Sequence, residues 1–299
     1  MDAQRVIVTV KWGPSAGRKA VVNAGGVLRV GRGALADLVI PNDLQMSPVH
    51  LELAWDGEQC SFRDLQSARG TLRNGDPGAT GGEIKHGDWL KAGETVLTVH
   101  LEGATKPAPV ELDDDDDDVD EEDHDARRER EARREQSAAA EAALPELQRA
   151  ATAPLYTLLD SARAPRILEL LRESAEEHHS LYDGVEGETM AHVAPYLVRL
   201  APDGRLFHAL VREGWGRRWG VYLTSAQPFA SVRRHLRRYL MVERQDRKER
   251  MYFRFYDPAV LRVFLSATTV LQRAELFAGT SEMIFESERG AVTIARATP

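Results

Sequence analysis

Gly31-Arg32, then Asp37, Ile40-Pro41, Ser47 with His50 just after it, Gly70-Thr71 and Asn74-Gly75, closed by Gly87-Asp88, decide how the first third of this chain is read. Short apolar runs alternate with turn residues through this stretch and on either side of it. They are Val6 to Val10, Leu28 to Val30, Leu38 to Ile40, Val49 to Leu53, Cys60 to Phe62 and Val96 to Leu101. Such spacing predicts an all-β sandwich with its loops held at one end by the sheets. Arg32 follows a strand and a glycine, so its side chain stands free at the base of a loop. A guanidinium forks onto a phosphate with two parallel charge-assisted bonds, which lysine cannot do. Ser47 can donate a hydroxyl hydrogen bond to the same phosphate. Asn74 carries a donor and an acceptor, so it either pairs with a bound peptide backbone or pins its own loop. Asn74-Gly75 also suits a tight turn that needs positive φ.

In this order and spacing, these residues resemble the forkhead-associated domain, a β-sandwich whose loops bind phosphothreonine peptides. The resemblance spans about the first third of the chain, residues 1–104. It implies phosphopeptide contacts at Arg32, Ser47 and Asn74, and Arg69 is a further candidate contact. It also implies that Gly31, His50, Gly70, Thr71 and Gly75 hold the loops together. The chain departs from the family twice. Pro48 stands where the family often has a polar or basic residue, and Arg69 stands where it usually has asparagine. Arg69 either adds a phosphate contact, favours acidic residues in the peptide, or points into solvent. Docking of partners without phosphate is the alternative for the whole loop set.

The chain has 299 residues, which suggests about two domains. Its 39 Lys and Arg against 47 Asp and Glu give a formal charge of -8, which argues against non-specific nucleic-acid binding. A single cysteine, Cys60, excludes an internal disulfide and a cysteine-rich zinc site. Its strand-like setting predicts a buried, inert thiol. Met1 to Val10 does not read as a signal peptide, and no run approaches a membrane span. The expectation is a cytoplasmic protein with no cofactor and no metal.

Residues 105–150 read as a linker. The acidic run of Glu111, Asp113 to Asp118 and the acids up to Asp123 has no apolar surface to bury and predicts disorder. Ala126 to Leu144 is rich in helix formers and lacks an apolar stripe until Leu144 and Leu147. It reads as a solvated helix or tether.

Residues 151–299 alternate strand and helix patterns, which predicts a mixed α/β domain ending in helices. Strands are expected at Leu155 to Asp160, Pro195 to Leu200, Trp219 to Leu223 and Met251 to Asp257. Helices are expected at Pro165 to His178, Leu206 to Glu213, from Pro228 to Leu240, and at Ala259 to Leu265. The tail from Leu271 to Phe285 also looks helical.

Five segments of this half recur together in order. They are Leu155 to Asp160, Ser180-Leu181-Tyr182-Asp183-Gly184, Ala194 to Val198, Trp215-Gly216 with Trp219-Gly220, and Phe253 to Pro258. They resemble the type VI secretion adaptor, or effector-chaperone, family. The resemblance implies a non-enzymatic protein that holds a toxic effector and helps load it onto the spike protein of the secretion apparatus.

The residues themselves are compatible with that reading. No Walker loop, dinucleotide fingerprint or His-Glu-x-x-His appears. Ser180 adjoins His178 and His179, but residues adjacent on a helix do not face one another as a nucleophile and base must. Trp215, Trp219, Arg254 and Asp257 are candidate partner contacts, since aromatics with arginine recur at interface hot spots. Core packing of the tryptophans and an Arg254–Asp257 ion pair are the plainer readings. Arg233, Arg234, Arg237 and Arg238 form a polar helix face or a basic stripe. A phosphothreonine-dependent signalling scaffold without a secretion role is the alternative function, and a hydrolase of unknown type is a third.

Overall fold

The computed structural model describes residues 4–106, 121–182, 190–243 and 250–297. The acidic run from Glu111 to Asp120 and the Asp183-Gly184 pair lie outside the described residues. The chain divides into two compact units, one centred on the residues up to Lys106 and the other on those after it.

The first unit is the expected sandwich. One sheet runs in the order β2 (Lys19–Val22), β1 (Val6–Trp12), β10 (Thr95–Leu101), β9 (Trp89–Ala92), β7 (Thr71–Arg73). The other runs β4 (Leu38–Val39), β3 (Gly26–Gly31), β5 (Leu51–Trp55), β6 (Cys60–Asp64), β8 (Gly81–Ile84). The alternation that marks these strands puts Val8, Val10, Val30, Leu51, Leu53, Trp55, Leu97 and Val99 into one core between the sheets. Cys60 is buried in that core, and burial pushes its thiol up to about 12, so it stays protonated. The glycine-rich segment after Asp76 runs into β8, which pairs with β6 through its backbone.

The second unit is built on a six-stranded sheet of order β12 (His178–Ser180), β13 (Pro195–Leu200), β11 (Leu155–Asp160), β14 (Gly220–Thr224), β17 (Glu282–Glu286), β18 (Val292–Ala295). Every pairing in this sheet is antiparallel. All six residues of β11 are buried, because apolar clusters cover both faces. One cluster draws on α1 (Glu121–Ala150), α2 (Pro165–Arg172) and α3 (Arg205–Gly214). The other draws on α4 (Phe229–Arg237), α5 (Pro258–Ala267) and α6 (Val270–Leu276). A short hairpin, β15 (Met241–Glu243) with β16 (Arg250–Tyr252), completes the described elements.

Four expectations are corrected. First, the end of the 105–150 segment is part of the second unit. Ala140, Ala143, Leu144 and Leu147 of α1 are buried in its core, and the Gln136 amide donates to the Trp215 carbonyl at 2.8 Å. Their spacing makes one helix face, and small alanines let the helix approach closely. Second, α2 stops at Arg172, and His178 to Ser180 form the edge strand β12 rather than a helix end. Third, of the strand expected at Met251 to Asp257 only Met251 and Tyr252 are strand, and Asp257 instead caps α5 with Pro258 in its first turn. Fourth, the tail holds one helix, α6, and then the strands β17 and β18.

No helix among the described residues is long and apolar enough to cross a membrane.

Candidate functional site

The loops at one end of the sandwich bring most of the sequence-selected residues together. Gly31 ends β3, and its carbonyl accepts the Ile40 amide at 2.8 Å. The next two amides reach the β4–β5 loop: Arg32 donates to the Ser47 carbonyl at 3.1 Å and Gly33 to the Pro48 carbonyl at 2.9 Å. These bonds press two backbones together at Gly31. A Cβ there would lie 2.2 Å from the Pro48 oxygen and 2.8 Å from the Val49 Cα. Gly31→Ala is therefore expected to destabilise the sandwich by about 1–3 kcal/mol, the usual range for overpacking. Urea unfolding would show a lowered midpoint; an unchanged one would mean that the loops part freely.

His50 is fully buried and ties the β4–β5 loop to the β6–β7 loop. The Ser47 amide donates to its Nδ1 at 3.1 Å, which leaves Nε2 to donate to the Gly70 carbonyl, also at 3.1 Å. The Ser47 hydroxyl accepts from the Ala68 amide at 3.0 Å. One acceptor position of that hydroxyl is thus occupied, while its own hydrogen remains available to a ligand oxygen.

Sequence reasoning missed the carboxylate beneath this arrangement. Asp64 accepts from the Thr71 hydroxyl at 2.6 Å, the Ser67 hydroxyl at 2.7 Å and the Ser67 amide at 2.8 Å. Burial works to raise its carboxyl. The Thr71 and Ser67 donors, with the His50 ring nearby, together hold it below its usual range. The Asp–Ser spacing is a local turn signal, but the Thr71 contact depends on the fold. Asp43 plays a similar part and was also missed. It is fully buried and accepts from the amides of Gln45, Met46 and Glu94 and the hydroxyl of Thr95.

The cations are left unspent. The Arg32 and Arg69 side chains are both exposed, and neither guanidinium meets a partner among the described residues. Leu35 and Leu44, on the loops that carry Arg32 and Ser47, are 82% and 83% exposed. Among the described residues, these loops therefore offer two unpaired guanidiniums, one hydroxyl and apolar contacts on a hydrogen-bonded base.

Asn74 is used differently. It sits at φ 50° and Gly75 at φ 90°, so both central residues of the Arg73–Asp76 turn have the positive φ that a tight two-residue hairpin requires. Its Nδ2 donates to Asp88 at 2.7 Å, and its Oδ1 accepts the Trp89 amide at 2.9 Å. Of the two roles open to Asn74 on sequence, the geometry displays the pinning of its own loop. One amide hydrogen is left over for a peptide.

In the second unit, Trp215 and Trp219 are buried in the core, and the Trp215 indole donates to the Gly290 carbonyl at 2.6 Å. Asp257 is buried too. Arg254 pairs with Asp160, not with Asp257 as the sequence suggested. The described residues contain no group of three or more His, Cys, Asp or Glu able to hold a metal ion.

Residues 10–103 match a family described as the inner membrane component of T3SS, cytoplasmic domain. Residues 155–275 match a family described as a domain of unknown function, DUF4123. Solved structures similar to the first unit include the FhaA FHA domain complexed with the intracellular domain of Rv3910. It is 29% identical, covers 32% of this chain and 99% of its own, and has a TM-score of 0.29. A domain from a structural and functional analysis of phosphothreonine-dependent FHA domain interactions is 28% identical, with coverage of 34% and 98% and a TM-score of 0.30. The FHA domain of an Arabidopsis thaliana hypothetical protein is 26% identical, with coverage of 36% and 92% and a TM-score of 0.31. No curated protein matches the chain.

Proposed function

We propose that this chain, a forkhead-associated-type domain joined to a DUF4123 domain, is a non-enzymatic cytoplasmic adaptor. Its second domain binds a type VI secretion effector and helps load it onto the spike protein. Its first domain docks a threonine-phosphorylated partner. The observation that carries the phosphate part is the pair of exposed guanidiniums of Arg32 and Arg69, which meet no partner among the described residues, on loops held by the Ser47 and Pro48 carbonyls and by His50 and Asp64. Phosphate recognition needs donors that are free yet held in place, and these loops supply both. The adaptor part is supported by the DUF4123 match and by the type VI adaptor resemblance over the same half. Two recognition points on one chain raise the effective concentration of a partner that engages both.

The test is co-purification. The tagged full chain is co-expressed with toxin proteins encoded beside its own gene, with and without a threonine kinase. A stoichiometric toxin complex that forms without the kinase and survives Arg32→Ala is the expected result. A complex that forms only with the kinase and is lost with Arg32→Ala would favour a phosphothreonine-dependent scaffold instead.

A further inference from the structure

We propose that one end of the second unit's sheet is a carboxylate-binding platform, in which Arg163, Arg218 and Arg254 receive an acidic, partly apolar segment of the client. The proposal rests on reading this unit as the client-binding one and names the chemistry of what it binds.

The platform grows from two buried acids. Asp160 is the last residue of β11 and Asp257 caps α5, and both are 1% exposed. Charges buried this deeply demand close counterions. Arg218 clasps Asp257 with three bonds: Nε to Oδ1 at 3.0 Å, and Nη2 to Oδ1 at 2.8 Å and to Oδ2 at 2.6 Å. Arg163 donates to Asp257 and sets its Nε 3.6 Å from Asp160. Arg254 donates to Asp160 through Nη2. The Ala259 amide gives Asp257 a further bond at 2.9 Å. Burial works to raise the Asp257 carboxyl, but the Arg218 and Ala259 bonds and Arg163 hold it below its ordinary range, so it is charged at neutral pH.

The acids are satisfied, whereas the arginines are not. Among the described residues, no acceptor meets the Nη1 group of Arg163, Arg218 or Arg254, and the buried Nε of Arg254 has none either. These side chains are 30%, 44% and 42% exposed, so their outer ends can meet a ligand, whereas the Arg254 Nε stays buried. The third nearby acid, Glu286, accepts from the backbone amides of Gly216 and Arg218. Those bonds fix the turn in which Arg218 sits at φ 58°. Arg217, in the same turn, is exposed and has no side-chain partner among the described residues. Four guanidiniums thus stand with three carboxylates.

A surface arginine ordinarily loses rotamer freedom when it binds. Here the buried acids have already ordered three of them, which is the condition for strong recognition by charged groups. The surroundings favour a peptide over a lone anion. The Arg254 guanidinium lies 5.9 Å from the Tyr256 ring centre. The Tyr252 hydroxyl meets those of Tyr182 at 2.6 Å and Tyr256 at 3.2 Å. Tyr252 and Met251 are 41% and 45% exposed just ahead of Arg254. Arginine and tyrosine beside exposed apolar surface is the composition of an interface hot spot.

The experiment is a fluorescence-anisotropy titration of the full-length protein at low salt. The probe is a labelled peptide of about ten residues that alternates Glu with Leu, a length that suits one extended segment. The control peptide has Gln for every Glu. Arg254→Lys keeps a cation beside Asp160 but loses the fork, so it isolates recognition from folding. The expected result is at least about tenfold weaker binding by Arg254→Lys at an unchanged thermal midpoint, matching about 1.4 kcal/mol. No measurable binding of the Gln peptide is expected. The same ratio is expected when Asp113–Asp118 are changed to Asn, which removes the densest part of the chain's own acidic run as a competitor.

Equal binding by wild type and Arg254→Lys overturns the proposal, and so does equal binding of the two peptides. Displacement of the probe by equimolar inorganic phosphate overturns the peptide assignment. Toxin that co-purifies equally with wild type and Arg254→Lys counts against the platform and leaves the adaptor reading standing. Absence of any toxin complex with the wild type counts against the adaptor reading, and the peptide titration then decides the platform by itself.

Discussion

Arg32→Ala is expected to weaken binding of a phosphothreonine peptide by about 100-fold or more. Hydrogen bonds to charged groups contribute about 1.5–3 kcal/mol each, and a forked guanidinium makes two of them. A loss of about 3 kcal/mol corresponds to about two decades in Kd. Isothermal titration with paired phosphorylated and unphosphorylated peptides is the measurement. The folded state should not change, because the Arg32 side chain is exposed and unpartnered among the described residues. Such surface substitutions usually stay within about 0.5 kcal/mol. Arg32→Lys should fall between, since it keeps the charge and loses the fork. An Arg32→Ala protein that binds its partner as the wild type does would mean docking without phosphate.

Asp257→Ala should cost the second unit about 3 kcal/mol. Removing one partner of a buried ion pair typically costs about 3–5 kcal/mol, and losing a helix cap about 1 kcal/mol. The lower value applies because Arg163 and Arg218 are 30% and 44% exposed and rehydrate when Asp257 is gone. The thermal midpoint should fall by about 6–12 °C for a unit of this size. Asp257→Asn separates the two contributions, since asparagine still caps α5 but carries no charge.

The pH dependence has a definite sign. The Asp257 pKa is depressed in the folded state, despite burial, by Arg218, the Ala259 amide and Arg163. Its contribution is therefore complete above the unfolded value of about 3.9 and is lost as pH falls through the lower folded value. The gap between wild type and Asp257→Asn should be full at neutral pH and should close below about pH 4. A gap that persists unchanged into strong acid would mean that packing, not charge, is what Asp257 supplies.

Much of the fold was legible because its signals are local. The strand alternation of Val6 to Val10 and Leu51 to Trp55, the turn chemistry of Asn74-Gly75 and the apolar stripe of α4 each lie within one short window. What escaped detection had no local signature. Three of the four residues of β8 are exposed, and two are glycines, so only the backbone ladder with β6 makes it a strand. His178 to Ser180 are polar, and only pairing with β13 distinguishes them from a helix end. Half of the buried face of α1 is alanine, Ala140 and Ala143, which reads as apolar only when something packs on it.

The candidate site divides along the same line. Residue type and order alone pointed to an arginine and a serine on loops of a β-sandwich, and to a second, mixed domain with arginine-rich segments. Which arginines are free was decided by tertiary structure. Arg32 and Arg69 meet no carboxylate among the described residues, whereas Arg218 and Arg254 are anchored by acids 39 and 94 residues away in sequence. A guanidinium's availability depends on what lies within about 4 Å of it, and chain segments that far apart reach that distance only when the whole sheet has formed.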